Sequence, residues 1–311
     1  MRASWRLCGA SLGARAPRRF LGTEDRKMNR AKIAMLVCAV VACASLLLAG
    51  CQTQTYTPPA KSQTVSSAAL GKDGTLRVGV NAASAPLAGK ASGSSRIVGI
   101  DVDVAAYLAD QLGCKVEVTD VGNDPAAALS NGTVDVVLGV DSSEEGAKYW
   151  RSNPYIQTGV ALFGTTAETS IPTADSAPKV AAQASSKSSW RVTNLFGDDS
   201  LVSQEDLKSA FVAMDQGTVR YVAADAVIGT YVAFTNNFDD KIIALLQDPS
   251  GYCAAVSESN AELQNAISGA MDSLNSGGMI NIIEAKWLGS SMNLSDITVV
   301  KSAASDSKKK S

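Results

Sequence analysis

The alternation of strand-like and helix-like segments restricts the fold more than any other feature of this sequence. Apolar side chains alternate in residues 75–80, as in a strand, and recur at helical spacing in residues 104–112. A strand pattern at 115–119, a short helix opened by Asp124-Pro125 and a nearly all-apolar stretch at 134–138 follow. Because strand–helix–strand units join parallel strands, this order predicts an α/β fold built on a parallel sheet.

The second half of the chain repeats this alternation. A strand pattern at 159–164 is followed by a polar stretch and then by a second α/β unit that begins at Lys179. The further segments are a helix through Leu207, Phe211 and Met214, a strand at 221–224, a helix from Asp225, a strand at 252–256, a helix through Leu263, Ile267, Met271 and Leu274, and a helix through Ile280, Ile283 and Trp287. A chain with this many elements has room for two lobes.

An uncharged apolar stretch at 33–50 follows two basic residues and ends in small side chains directly before Cys51. This layout is typical of a secretory signal. Its end resembles the bacterial lipoprotein signal, in which the cysteine after the cleavage site carries a lipid. We therefore expect residues 1–50 to be a removable signal region, with Met28 as the true start. A transmembrane helix that stays in place is the alternative, since ~18 apolar residues can span a bilayer.

The lipid on Cys51 would attach the protein to the extracytoplasmic face of the cell membrane, and several acyl chains would make this attachment firm. Residues 51–71 are polar, contain two prolines and lack periodicity, so they predict a lipidated N-terminus followed by a flexible linker. At the other end, the serine- and lysine-rich residues 291–311 predict a disordered polar tail.

The composition excludes several classes of function. Residues 1–50 hold nine of the 28 basic and two of the 30 acidic residues, so the remaining 19 and 28 give a net charge of −9. An acidic body argues against nucleic acid, whose binding depends on basic patches. Without histidine, the usual zinc sites and the Ser-His-Asp and Cys-His catalytic arrangements are excluded, and we expect no metal, cofactor or enzymatic activity. Whether Cys114 and Cys253 form a disulfide stays open.

Five short motifs occur in order between residues 72 and 290. They are L-R-V-G-V-N at 76–81 before Ala85-Pro86, I-V-G-I-D-V-D-V at 97–104, N-G-T-V-D-V-V at 131–137, N-P-Y at 153–155 and A-K-W-L-G at 285–289. Each motif is weak alone, but together they resemble the family 3 bacterial solute-binding proteins. The resemblance implies the type II periplasmic-binding-protein fold, with two α/β lobes, two hinge crossings and a ligand cleft between the lobes.

The resemblance also implies a division of the chain and a set of partners. Lobe one would comprise residues 72–163 and 247–290, and lobe two residues 164–246. Such proteins usually capture a polar amino acid or a related small polar solute and deliver it to the permease of an ABC importer. In this fold, ligands lie where strands end and helix N-termini point, so exposed N–H groups can hold a carboxylate.

The resemblance assigns ligand binding to particular positions of this sequence. They are Asn81, Ser84, Gly139, Asp141, Ser142, Ser185, Ser186 and Asp225. Asp225 matches the family's aspartate that pairs with the ligand's amino group. The two adjacent serines replace the usual Gly-Thr before a helix of lobe two.

Three elements depart from the family pattern. Gly146 stands in place of the arginine whose fork clamps the ligand carboxylate. Lys148 is a poor substitute, because it offers a point charge two residues away. The two aromatic platforms of the family fall at Ser84 and near Gly122, so neither is present.

Structural alternatives exist for several of these residues. Asp225 could be only a helix cap and the serines only loop residues, and we expect Asp101 and Asp103 to cap the helix that follows them. For the function, the favoured hypothesis is a membrane-tethered solute-binding component of an ABC importer. The alternative is a degenerate binding protein that serves as a surface scaffold or partner-binding module. A lyase or dehydratase on the same fold has no positive support in the sequence.

Overall fold

The computed structural model describes residues 61–168 and 170–301. The strands of these residues are β1 (Thr75–Val80), β2 (Ala83–Ser84), β3 (Ala88–Lys90), β4 (Ile97–Val98), β5 (Lys115–Asp120), β6 (Val136–Asp141), β7 (Trp150–Arg151), β8 (Ile156–Thr158), β9 (Val160–Thr165), β10 (Val180–Gln183), β11 (Leu201–Gln204), β12 (Tyr221–Asp225), β13 (Asp240–Leu245) and β14 (Ser250–Val256). The helices are α1 (Ile100–Gln111), α2 (Pro125–Ser130), α3 (Lys187–Phe196), α4 (Leu207–Asp215), α5 (Ala226–Asn236), α6 (Ala261–Ser276) and α7 (Met279–Leu288). The predicted α/β fold class is confirmed.

The first sheet forms the centre of lobe one, with the strand order β5-β1-β6-β14-β7 and with β8 paired to β14. Strand β1 runs parallel to β5 and β6, as the strand–helix–strand order predicts, whereas β14 joins antiparallel to β6. Helices α1, α6 and α7 pack on one face of this sheet and α2 packs on the other. Because both faces are covered, β6 consists almost wholly of apolar residues.

The second sheet forms the centre of lobe two, with the strand order β11-β10-β12-β9-β13. Strand β10 is parallel to β11 and β12, and β9 is antiparallel to β12 and β13. Helix α3 packs on one face, and α4 and α5 pack on the other. The fully buried ring of Phe211 lies edge-on to Phe163, 5.3 Å between centroids, and stacks on Phe238 at 5.6 Å. These three rings join α4 to the sheet.

Two crossings connect the lobes through their sheets. The chain leaves lobe one at Gly159, between β8 and β9, and returns between β13 and β14. Because β9 lies inside the second sheet, lobe two begins at Val160, and the predicted boundary after residue 163 is wrong. The apolar pattern of residues 159–164 predicts a buried strand, but it does not predict which strands pair with it. The lobe to which β9 belongs was therefore not predictable from this pattern.

A third crossing follows α7 in the described part of the chain. Leu294 is buried in the core of lobe two, and Val299 forms a parallel bridge with Leu245 at the end of β13. The side chain of Gln157 in β8 contacts this segment, accepting the N–H of Leu294 at 2.8 Å. The predicted polar tail is therefore wrong for residues 291–301, where spaced apolar side chains dock the segment on lobe two.

The segment before β1 belongs to lobe one. Val65, Ala69 and Leu70 are buried in its core, and the backbone N–H of Thr64 donates to the carbonyl oxygen of Leu112 at 3.0 Å. The predicted flexible linker is therefore wrong for residues 64–71. A few apolar side chains among serines are sufficient to dock a single 3-10 turn at 67–69.

Several predictions lie outside the described residues. They concern the signal region 1–50, the start at Met28, the lipidation of Cys51, the linker residues 51–60 and the tail residues 302–311. Within the described residues, no helix combines the length and the apolar character that a membrane span requires.

The start of α1 differs from the prediction. The helix begins at Ile100, so Asp101 and Asp103 lie inside its first turn and neither is the N-cap. Gly99 precedes the helix with φ of +147°, and a Cβ at this position would lie 2.2 Å from the carbonyl oxygen of Leu87. This close approach of two backbones determines where the helix begins. As a result, the side chain of Asp101 turns into the protein.

Candidate ligand-binding site

A cavity of about 470 Å³ opens at the carboxyl ends of the parallel strands of lobe one. The ends of β1, β5 and β6 meet there with the first turns of α1 and α2, and ligands of open α/β sheets bind at such edges. The volume is within the range of small-molecule sites. Of the predicted site residues, Asn81, Ser84, Gly139 and Asp141 line the cavity. Lobe two contributes Ile228 of α5 to the lining.

A polar wall follows the end of β1. The side-chain amide of Asn81 donates to Ser84 Oγ at 2.8 Å and also to Asn123 Oδ1. Asn81 Oδ1 accepts the backbone N–H of Ala83 at 3.0 Å. Asn81 is therefore engaged within the wall. Among the described residues, the hydroxyl of Ser84 and the amide N–H groups of Asn123 have no acceptor, which leaves them available to a ligand.

Strand β6 carries a β-bulge beside the cavity. Its register with β14 shifts between Cys253 and Ala255, and Gly139 in this region has φ of +78°. The N–H of Gly139 leaves the sheet and donates to the phenolic oxygen of Tyr155 at 2.9 Å. Tyr155 in turn donates to Asp101 Oδ1 at 2.6 Å. Bulges of this kind commonly re-aim groups next to functional sites.

Asp101 is the buried carboxyl group of the cavity, with 1% of its surface exposed. Burial raises the pKa of this carboxyl to about 7, and the hydrogen bond from Tyr155 opposes the shift. No described residue donates to Asp101 Oδ2. A Cβ at position 139 would lie 2.7 Å from this oxygen, so the glycine keeps the space beside it open.

The loop after β6 presents a second carboxylate. Asp141 Oδ1 accepts from the N–H and the hydroxyl of Ser143, at 2.9 and 2.8 Å, while Oδ2 lies 3.8 Å from Lys187 Nζ of lobe two. The neighbouring Ser142 does not line the cavity. It instead joins the loop to β14, because its N–H donates to Gly251 O at 2.8 Å and its Oγ accepts the Gly251 N–H at 3.0 Å.

The basic side chains near this loop do not line the cavity. Arg151 Nη1 donates to the carbonyl oxygens of three loop residues, Asp141, Ser142 and Glu144. This guanidinium therefore holds the loop backbone. Gly146 and Lys148 lie away from the cavity lining, so the lysine does not replace the missing arginine there. Within the described residues, no lysine or arginine is part of the lining.

Asp225, the predicted partner of a ligand amino group, does not line the cavity. It caps α5, since its Oδ1 accepts the N–H groups of Val227 and Ile228 at 2.9 and 3.0 Å. Its Oδ2 accepts the hydroxyl groups of Thr158 at 2.6 Å and Tyr252 at 3.3 Å. Burial raises the pKa of this carboxyl, and the four hydrogen bonds oppose the shift. These four donors occupy the acceptor sites of the carboxylate.

Ser185 and Ser186 also lie outside the lining. Ser186 is the N-cap of α3, where its Oγ accepts the N–H of Ser189 at 3.0 Å and donates to Gln183 O at 2.7 Å. Ser189 Oγ accepts the N–H of Ser186 at 3.1 Å, which completes a capping box. Ser185 precedes the cap with φ of +57°. A purely structural role of the two serines, in the loop and the cap before α3, accounts for all of these contacts.

The positions of the missing aromatic platforms do face the cavity. Both Ser84 and Gly122 are part of its lining, and neither offers a ring for stacking. Tyr252, from β14, supplies an aromatic side chain to another part of the lining. These two positions therefore offer no aromatic sandwich for a ligand side chain, as the sequence predicts.

Five lining residues with polar side chains were absent from the predicted site: Asp101, Asn123, Ser143, Glu144 and Tyr252. The sequence contains a signal for the first of them, because Asp101 shares the apolar helical face of Val104 and Leu108 at positions i, i+3 and i+7. An acidic residue on a buried helical face is unusual, because aspartate is almost never fully buried unless its carboxyl group has a partner. Asn123 and Glu144 follow strand ends by three positions, which is a weaker signal. No local signal identifies Tyr252.

Two cysteines of the described residues lie outside the cavity lining. Cys114 and Cys253 are free thiols, and burial raises the pKa of Cys253 to about 11, so this thiol is protonated at neutral pH. Among the described residues, no cluster of three histidine, cysteine or acidic side chains could hold a metal ion.

Comparison with solved structures identifies the same fold elsewhere. A polar amino acid ABC uptake transporter substrate-binding protein from Streptococcus thermophilus has a TM-score of 0.62 and 17% identity, over 70% of this chain and 87% of the other. The unliganded open L-cystine solute receptor of Neisseria gonorrhoeae has a TM-score of 0.61 and 23% identity, over 70% and 93%. An ancestral cationic amino acid solute-binding protein has a TM-score of 0.60 and 24% identity, over 69% and 96%.

The sequence comparison covers the same region. No curated protein matches the chain. The sequence profile described as bacterial extracellular solute-binding proteins, family 3, matches residues 76–290, which is more than half of the chain and includes both lobes. The resemblance carried by the five motifs is thereby confirmed. The chain belongs to the family 3 bacterial extracellular solute-binding proteins.

Proposed function

We propose that this protein is the solute-binding component of an ABC importer, tethered through a lipid on Cys51 to the extracytoplasmic face of the cell membrane. Its ligand is a small polar solute. The observation that carries the proposal is the cavity of about 470 Å³ at the strand ends of lobe one, with Ile228 of lobe two in its lining. Hinge bending at the crossings would close lobe two over a solute held there.

Further support comes from the relatives and from the polar groups of the cavity. The similar structures are described as proteins for cationic amino acids, polar amino acids and L-cystine. The lining combines apolar residues with a small number of polar groups, including Ser84, Asp101 and Asp141. This composition is typical of sites for small molecules.

The alternative, a scaffold without a ligand, is favoured by one specific observation. Asp225, the predicted partner of a ligand amino group, is fully occupied by donors of its own chain. A scaffold, however, has no need for an open cavity, and this cavity is retained. The Oδ2 of Asp101 also favours a ligand, because it has no donor among the described residues and Gly139 keeps the space beside it open.

Ligand binding is tested by thermal unfolding of the purified protein with a panel of amino acids, amines, sugars and short peptides. A ligand at 100 times its Kd stabilises the folded state by about 2.7 kcal/mol, which raises the melting temperature measurably. We expect at least one positively charged or zwitterionic solute to do so. A panel without any stabilising member would favour the scaffold instead.

The tether is tested by fractionation of cells that express the protein or its Cys51→Ser variant. We expect the protein in the membrane fraction and the variant in the soluble extracytoplasmic fraction, because serine offers no thiol for lipid attachment. Equal distribution of both would contradict the lipid anchor. For the transport role, deletion of the gene should reduce uptake of the solute found in the panel, and uptake that is unchanged would contradict it.

A further inference from the structure

The geometry of the cavity points to a narrower class of ligand. We propose that the protein binds a small organic cation, an amine or a guanidine, that carries no carboxylate group. The inference rests on the proposed function and specifies the solute that the same cavity takes.

The first argument is the charge of the lining. Its ionisable side chains are acids, namely Asp101 on α1 and Asp141 and Glu144 after β6, apart from the phenol of Tyr252. The part of the chain that the structure describes contributes no lysine or arginine to this lining. Acidic side chains without a basic side chain in the described lining favour a cation over an anion in the cavity.

The second argument is that a ligand carboxylate would have no basic partner among the described residues of the lining. Gly146 replaces the arginine of the family, and the Nη1 of Arg151 is occupied by three backbone carbonyl oxygens of its own loop. Lys187 of lobe two already lies 3.8 Å from Asp141. The first turn of α1, which could attract an anion, carries Asp101 itself. An α-amino acid would therefore place its carboxylate among carboxylates.

The third argument is where a cation would bind. Asp225 cannot accept a ligand ammonium without losing one of its four hydrogen bonds, and it lies outside the lining. Asp101, in contrast, has one carboxylate oxygen free. Its Oδ1 accepts the hydroxyl of Tyr155, and its Oδ2 lacks a donor among the described residues. Gly139 keeps the space beside Oδ2 free of a side chain. An ammonium or guanidinium would supply the missing donor.

The environment of Asp101 makes such a partner effective. The side chain is 1% exposed, so a hydrogen bond formed there is shielded from water and strong. Burial raises the pKa of Asp101 to about 7, and a bound cation would favour the ionised form and lower this pKa. The hydroxyl of Ser84 and the amide of Asn123 provide further polar contacts for the remainder of a short, polar ligand.

Two matched pairs of probes separate this inference from the general function. Agmatine differs from arginine, and putrescine from ornithine, by the absence of the carboxylate. Isothermal titration of the protein with all four should give at least tenfold tighter binding for the carboxylate-free member of one pair, which is about 1.4 kcal/mol. In the Asp101→Asn variant, affinity for that member should fall at least about tenfold, because a charge-assisted hydrogen bond is lost.

Asp110→Asn is the matched control. Asp110 lies on the same helix, α1, with 62% of its side chain exposed, so the substitution makes the same chemical change outside the cavity. We expect it to leave the affinity unchanged. Glu144→Gln, on the exposed rim, provides a second cavity variant whose amide oxygen can still accept the hydroxyl of Tyr149, and it should weaken binding of the cation as well.

The outcomes distinguish the two proposals. Equal or tighter binding of arginine or ornithine would overturn the inference and leave the solute-binding function in place. Binding of a neutral or anionic solute, together with no measurable binding of the four probes, would also overturn the inference and leave the solute-binding function in place. If neither these probes nor the broad panel produced binding, both proposals would fail. Equal loss of affinity in Asp101→Asn and Asp110→Asn would also overturn the inference, because net charge alone would then explain it.

Discussion

Replacement of Asp101 by asparagine should change how the stability of the protein depends on pH. The pKa of this carboxyl is 3.8 in an unperturbed chain and about 7 in the fold. An acid that holds its proton more tightly when folded stabilises the fold at low pH, and this contribution is lost as the pH rises from about 4 to about 7. At about 1.4 kcal/mol per pKa unit, the loss amounts to about 4 kcal/mol.

Asparagine removes this dependence with little change of shape. It does not ionise, and its Oδ1 can still accept the hydroxyl of Tyr155, which lies 2.6 Å from the present Oδ1. We therefore expect the unfolding free energy of Asp101→Asn, minus that of the wild type, to rise by about 4 kcal/mol between about pH 4 and about pH 8. The measurement is urea denaturation followed by circular dichroism at a series of pH values, without ligand.

Other buried acids do not obscure this measurement. Burial also raises the pKa of Asp240 and of Glu284 to about 7, but both groups are present in both proteins and cancel in the difference. Asp110→Asn, on the exposed side of the same helix, should give a difference that is flat with pH. A flat difference for Asp101→Asn as well would refute the reasoning, because the carboxyl would then ionise as an exposed one does.

Three further substitutions test the packing around the two lobes. Phe211→Ala should lower the unfolding free energy by about 3–5 kcal/mol in urea denaturation, because a fully buried ring is removed from between two others; a loss below about 1 kcal/mol would contradict this packing. Ser186→Ala should cost about 1 kcal/mol by the loss of the α3 cap, and equal stability would argue against the capping box. Gly139→Ala should lower the melting temperature, since its φ is +78° and the new Cβ would lie 2.7 Å from Asp101 Oδ2. An unchanged melting temperature for Gly139→Ala would show that the bulge can move away.

The order of the elements was predictable because the apolar patterns are local. The strand at 75–80 and the helix through Leu263 and Leu274 follow from the spacing of their own side chains. The parallel pairing of β1, β5 and β6 followed from the crossover rule. Short strands such as β7 and β8 were not predicted, because two or three residues do not establish a period.

The predicted ligand-binding role of all eight residues stays a prediction. Asn81, Ser84, Gly139 and Asp141 line the cavity, because they lie in or shortly after the carboxyl-terminal halves of the parallel strands β1 and β6. The assignment of ligand binding to Asp225, Ser185 and Ser186 stays a prediction, but in this structure none of the three lines the cavity. Asp225 and Ser186 are the N-caps of α5 and α3, and Ser185 directly precedes the α3 cap. A resemblance to a family predicts which positions of this sequence correspond to ligand-binding residues. It does not predict whether a carboxylate at such a position still has a free acceptor oxygen, because that depends on every donor around it.

The sequence by itself determined the α/β architecture, the family and the edge of the sheet at which the cavity lies. These features depend on spacing within about ten residues, or on motifs that keep their order. Only the tertiary structure decided which carboxylate is free in the cavity. Tyr155 lies 54 positions from Asp101, and Thr158 lies 67 positions from Asp225. Contacts over such separations form only when the chain has folded, so they occupy Asp225 and leave Asp101 Oδ2 open.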